Sequence, residues 1–133
     1  MLAADWTTVR LFLHVLAATI WVGGQLTLAG LVPVLRSVGV DVPRLAARRF
    51  NLIAWPAYGV LILTGAWNAV AERDQLHGAY ATTFAIKMGV VAVSGLAAFW
   101  HTRAGTPARI ALFGALSGLS ALAALFLGIL LAG

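Results

Sequence analysis

Apolar residues run along this chain in four long blocks, with charged residues gathered between them. The uncharged run 11–35 is closed by Arg10 and Arg36, and the run 50–71 lies between Arg49 and Glu72. A third block covers about 83–101 with Lys87 inside it, and a fourth runs 110–133 after Arg109. A helix needs about 20 mostly apolar residues to cross a bilayer. The pattern therefore predicts four membrane-spanning helices, about 9–36, 50–71, 83–101 and 108–132, in a single transmembrane domain over 1–133. The first block is too long for the apolar core of a signal peptide, and only Arg10 stands before it as a basic residue, so it reads as a retained helix. Short connections predict an all-α, antiparallel four-helix bundle. Residues 36–49 suit a short amphipathic helix, because Pro43 is acceptable in a first turn.

Composition sharpens this picture. Of 133 residues, 62% are hydrophobic and 10% charged, where a soluble domain is nearer half and a quarter. Mean hydropathy is +0.95. A soluble enzyme, a disordered tail and a disulfide scaffold are excluded, since a small domain cannot hide so much apolar surface. With no cysteine, disulfides, cysteine-zinc sites, iron–sulfur clusters and thiol catalysis are excluded too. The net charge is +5, from nine Lys+Arg against four Asp+Glu. No polar basic domain carries it, so nucleic acid is not the partner; the lipid bilayer is. Arg36, Arg44, Arg48 and Arg49 in the first connection, with Arg103 and Arg109 in the third, place both connections in the cytoplasm by the positive-inside rule. Both termini and the connection holding Glu72, Arg73, Asp74 and His77 are then extracytoplasmic.

Small residues recur along the helices. Ser117, Ala121, Ala124 and Gly128 share one stripe, Gly114 and Gly118 form a G-x-x-x-G pair, and the first block carries Gly23, Gly24 and Gly30. Small residues let helix backbones approach closely in lipid. They serve packing within the bundle or a homodimer through small-residue helix faces, and the motif alone does not separate the two.

Ionisable groups in the apolar layer are costly to keep there, so each is a functional-site hypothesis. His14 is expected about one turn inside the first helix, with Trp21 and Gln25 on its face at seven and eleven residues on. An imidazole there is either an interfacial group bonded to a carbonyl or water, or a ligand for haem iron, copper or zinc. Lys87 is expected about one turn inside the third helix, at a depth like that of His14. It either snorkels to the headgroups or faces a carboxylate as a buried cation. His101 closes that helix beside Trp100, roughly 21 Å from Lys87 at ~1.5 Å per residue. It is an interfacial residue or a metal ligand on the inner side. His77 reads as a solvated loop residue. In the second helix Pro56 frees the Leu52 carbonyl, and Tyr58, Thr64 and Asn68 add polar atoms, Asn68 towards the outer end. No H-E-x-x-H, Walker loop or G-x-S-x-G is present.

Three segments taken in order, LHVLAATIWVGGQLTLAGLVPVLR, WPAYGVLILTGAWNA and AYATTFAIKMGVVAVSGLAAFWH, resemble the CopD-like superfamily of small bacterial membrane proteins. The superfamily includes the copper-resistance D domain and the HemJ-type protoporphyrinogen oxidases. The resemblance covers about three quarters of the chain and rests on the ordered combination H-x6-W-x-G-G, then P-A…T-G-x-W-N, then a lysine within the third segment. It implies a multi-pass protein of the bacterial cytoplasmic (inner) membrane. In the HemJ-type branch a first-helix histidine and a third-helix lysine form the functional pair and haem b is bound; these fall on His14 and Lys87. The copper branch is linked to copper uptake from the outer side, and the WVGG and LTGAWNA wording is nearer to it. Where HemJ-type proteins carry aromatic residues after the first-helix tryptophan, this chain carries Gly23, Gly24 and Gln25.

Three readings follow. In the first, haem b is held near the outer side by His14, with Lys87 on a propionate or acting as the catalytic proton donor. Trp21, Gly24, Gln25 and Asn68 shape its cavity, and the glycines give room for a flat macrocycle. The role is then redox or oxidase-type, with a redox partner or a small-molecule substrate. In the second, copper enters at His14 and passes by way of Asn68, Gln25 and His101; only Met88 could add a soft ligand within the membrane, and Lys87 would repel the ion unless deprotonated. In the third the chain is a cofactor-free structural or assembly subunit.

Overall fold

A computed structural model describes residues 2–133, and among them every regular element is helical. The elements are α1 Trp6–Ala18, a π-helical turn Thr19–Gly23, α2 Gly24–Val38, α3 Val42–Ala71, a 3-10 turn Arg73–Gln75, α4 Gly78–Arg103 and α5 Pro107–Ala132. α1, the π turn and α2 run on as one span. Four helices are thus long and apolar enough to cross a membrane: Trp6–Val38, Val42–Ala71, Gly78–Arg103 and Pro107–Ala132. The expected count holds, and three of the four helices begin well before the expected residue.

Local chemistry explains the earlier starts. α1 opens at a capping box, in which the Asp5 carboxylate accepts from the Thr8 backbone N–H at 2.8 Å and from the Thr8 hydroxyl at 2.9 Å. These bonds, the backbone one foremost, hold the Asp5 carboxyl below the usual carboxylate range. The separate amphipathic helix expected before the second span is instead its first two turns. α3 starts at Val42, carries Pro43 in its first turn and meets no breaker before Pro56. Arg44, Arg48 and Arg49 therefore stand on helix rather than in a loop. At 1.5 Å per residue, the 30 residues of α3 reach about 45 Å, past a hydrocarbon layer of about 30 Å. α4 opens at Gly78, whose φ of +55° is a left-handed turn that glycine adopts without a Cβ clash. α5 opens with Thr106 accepting from the Arg109 N–H at 3.3 Å and Pro107 in the first turn.

The chain divides into two compact units, residues up to Ala71 and Glu72–Gly133. Each is a helical hairpin. In the first, His14 meets Thr64, Trp21 meets Trp55 and Tyr58, and Gly24 meets Phe50. Rising residue numbers on one side against falling numbers on the other make the two helices run in opposite directions. In the second, Lys87 meets Gly128, Ser94 meets Ser117, and His101 meets Ile110 and Gly114.

Packing is the inverse of a soluble core. The buried positions are mostly small: Ala17, Ala54, Ala57, Gly65, Gly95, Ala97 and Ala121 among them. Phe12, Val15, Leu63, Leu119, Phe126 and Ile129 are all exposed by more than half. Large apolar side chains outward and small ones inward is the arrangement expected where lipid is the solvent. The Ser117, Ala121, Ala124 and Gly128 stripe packs against α4 at its two ends, through Ser94 and Lys87.

The second hairpin is joined by a reciprocal pair of bonds. Ser94 Oγ donates to the Ser117 carbonyl at 2.9 Å, and Ser117 Oγ donates to the Ser94 carbonyl at 3.0 Å, with both residues buried. Interhelical hydrogen bonds in lipid are worth about 0.5–1.5 kcal/mol. Ser94→Ala and Ser117→Ala should each lower unfolding free energy in detergent by about that amount. The double variant should lose less than the sum, because each change breaks one bond and loosens the other.

Candidate functional site

In the first hairpin the site is built around His14, eight residues after Trp6 at the start of α1 and so roughly 12 Å along it. Its Nδ1 is hydrogen-bonded to Thr64 Oγ1 at 2.7 Å. Thr64 is 4% exposed. Its hydroxyl lies 2.6 Å from the Val60 carbonyl, one turn back on its own helix, and 3.3 Å from that of Leu61. The imidazole passes Gly65 at ordinary contact distance, His14 Cε1 lying 4.0 Å from where a Cβ would stand.

Below this pair the π turn places Trp21 and Val22 side by side in the buried region. Such turns carry one extra residue and are uncommon in ordinary helices. Trp21 packs on Tyr58 with ring centroids 4.6 Å apart and edge-on to Trp55 at 5.5 Å; Trp55 and Tyr58 are 5.8 Å apart. Trp21, expected to shape a cavity, belongs to a three-ring cluster that fixes the first span against α3. Gln25 is half-buried. Gly24 is occupied differently from the expectation: the ring of Phe50 fills the space its missing side chain leaves. That glycine admits a helix neighbour rather than a macrocycle, while Gly23 faces open space. Asn68 stands one turn beyond Thr64, half-buried, and its Oδ1 is buried with no hydrogen-bond partner among the described residues. Neither His14 nor Asn68 lines the wholly apolar groove that Leu16, Ile20, Ile53, Pro56 and Val60 form on this hairpin.

In the second hairpin Lys87 lies nine residues after Gly78, roughly 14 Å into α4 rather than one turn. Its Nζ reaches across to α5 and rests over Gly128, 3.1 Å from where a Cβ would stand. No ion pair or hydrogen bond engages it among the described residues. The ammonium therefore lies along the hairpin face over a glycine cradle. His101, at the other end of α4, is bonded through Nδ1 to the Ile110 carbonyl at 2.8 Å, and its ring lies 3.1 Å from the place of a Gly114 Cβ. It clamps the turn between α4 and α5. Among the described residues no group of three or more His, Cys, Asp or Glu is assembled to hold a metal ion. His77 is exposed at the start of α4.

The fold and these two hairpins define the chain as a multi-pass helical protein of membrane type. No protein-family model, curated protein or solved structure matches it.

Sequence reading singled out His14, Lys87, Trp21, Gln25, Asn68 and His101 but not their supports. Thr64 appeared there only as one polar atom of the second span. Its spacing of four from Asn68 was the available signal that both share a face of one helix. Gly114 and Gly128 were signalled only as small-residue packing positions, and Gly65 by nothing beyond its being a glycine.

The Gly24 contact has a direct check. Gly24→Ala should lower stability in detergent by about 1–3 kcal/mol, the usual cost of overfilling a packed site. Most of that loss should disappear when Phe50→Leu is added.

Proposed function

We propose that the chain is a haem b-binding protein of the bacterial cytoplasmic membrane with a redox or oxidase-type role, His14 supplying the axial nitrogen. The observation that carries this reading is an imidazole set inside its hairpin by Thr64, with no group of three or more His, Cys, Asp or Glu assembled among the described residues. A bare copper or zinc ion draws most of its coordination from several protein donors. Haem brings four ring nitrogens of its own and asks the protein for one or two axial ligands. A histidine oriented by Thr64 and outside any such group suits the second demand. The donor chemistry extends to Lys87, whose ammonium rests over Gly128 and suits a propionate carboxylate, and to Asn68, whose buried Oδ1 awaits a donor. The resemblance to the CopD-like superfamily, through its HemJ-type branch, supports the same pair of residues.

The proposed arrangement is an antiparallel four-helix bundle with both termini extracytoplasmic. The arginines at 36–49 and 103–109 support it through the positive-inside rule. When bound, the haem supplies one-electron chemistry. The protein's own residues hold and orient it: His14 by its ligand nitrogen, Lys87 by charge, and the Trp21, Trp55 and Tyr58 cluster by keeping the hairpin rigid beneath His14.

The test is optical. Protein purified in detergent, or reconstituted with haemin, should show a Soret band. His14→Ala should abolish most of it, and Lys87→Met should weaken haemin retention by about tenfold, as expected for loss of one charged contact. A colourless protein that takes up no added haemin overturns the proposal, and His14-dependent copper binding in its place would establish the copper reading.

A further inference from the structure

We infer that Thr64 is a positioning residue, which holds His14 in its Nδ1–H form and so leaves the imidazole lone pair on Nε2. Two contacts meet at Thr64 Oγ1: one to the Val60 carbonyl at 2.6 Å and one to His14 Nδ1 at 2.7 Å. Each is a hydrogen-bond distance, and each needs a proton between its two heavy atoms. A carbonyl oxygen has none to give, so the short contact to Val60 takes the single hydroxyl proton of Thr64. The Leu61 carbonyl, at 3.3 Å, shares the same side. Oγ1 is left with only lone pairs towards the imidazole, so the second proton belongs to Nδ1. In a neutral imidazole the other nitrogen then carries the lone pair.

The lock is stiff. Thr64 is buried, β-branched and held by its own helix, so Oγ1 cannot turn away without leaving a carbonyl contact. A serine keeps the hydroxyl; a valine keeps the shape and removes the acceptor. The protein contains a second histidine in which the same assignment is unavoidable. His101 Nδ1 lies 2.8 Å from the Ile110 carbonyl, which can only accept, so His101 also carries its proton on Nδ1. His101 is therefore an internal standard, and the exposed His77 is a free reference. These are the only three histidines in the chain.

Thr64 fixes the tautomer in the haem-free protein; its service to a haem iron rests on the function proposed above. Outer-shell partners of this kind orient a ligating histidine and raise its basicity, and their loss costs roughly 10–100-fold in affinity. Because Thr64 donates to the Val60 carbonyl while accepting from His14, the two bonds polarise one another along a chain.

The experiment uses the full haem-free protein in detergent, labelled with ¹⁵N-histidine, at an alkaline pH where imidazoles are neutral. His14 and His101 should both show a protonated Nδ1 and a bare Nε2, while His77 averages over both forms. In Thr64→Val only His14 should lose its single form, and Thr64→Ser should restore it. With haemin, Thr64→Val should bind at least about tenfold more weakly than wild type, and Thr64→Ser close to wild type. A wild-type His14 that is mainly Nε2–H overturns the inference without any variant, and so does a His14 signal unchanged in Thr64→Val. A wild-type protein with His14 in the Nδ1–H form that binds no haemin removes the haem reading and upholds the assignment to Thr64.

Discussion

Inside a bilayer a polar atom has no water to turn to, and this constraint orders the whole structure. Hydroxyls in the spans are turned back on their own helices: Thr19 on the Val15 carbonyl at 2.8 Å, Thr27 on Gly23 at 2.7 Å, Thr83 on Ala79 at 2.9 Å, and Ser120 on Leu116. Such bonds make a hydroxyl nearly apolar to its surroundings. Two places depart from this local solution. Ser94 and Ser117 satisfy each other's carbonyls across the second hairpin, and Thr64 bonds its own helix while also accepting from His14. These contacts join particular positions of two helices, as does the bond from His101 to the Ile110 carbonyl.

The same constraint explains why small residues carry the packing. Two helices held by polar contacts at close range must bring their backbones together, so alanine, serine and glycine occupy the seams while leucine and phenylalanine face outward. Glycine has a further use. At Gly114 and Gly128 the absent side chain makes a place for His101 and Lys87, while His14 lies in ordinary contact with Gly65. Three residues that are costly to keep in hydrocarbon thus each lie against a glycine of the neighbouring helix. At Gly24 the same feature admits the Phe50 ring and serves packing alone.

The four blocks of hydrophobicity made the spans legible, because a run of about 20 apolar residues matches the thickness of a bilayer and would be insoluble outside one. The helix starts were less so. Charge marks where a chain leaves hydrocarbon, not where its backbone ceases to be helical, so Arg44 to Arg49 continue α3 outside the apolar layer. The π turn at Thr19–Gly23 was not legible, since its residues are ordinary and the extra residue is stabilised by packing of Trp21 on Trp55 and Tyr58. Within the site the costly groups were conspicuous because ionisable residues are rare in the spans. Their partners were not, because a threonine or glycine in an apolar run looks like any other small residue until the opposing helix is in place.

The character of the proposed site follows from that asymmetry between conspicuous groups and quiet supports. A single imidazole in a low-dielectric setting is a poor trap for a free divalent ion, because the missing donors would have to come from water that hydrocarbon excludes. The same imidazole is well suited to a metal that arrives already ringed by four nitrogens, needing only one axial lone pair aimed correctly. The surroundings of Lys87 point the same way. An ammonium that far inside a span, lying against a glycine with no carboxylate on it, calls for an anion as counterpart rather than a second cation. His14 in the first hairpin and Lys87 in the second thus ask separately for a metal that brings its own donors and for a carboxylate, the two chemistries that the proposed haem would supply.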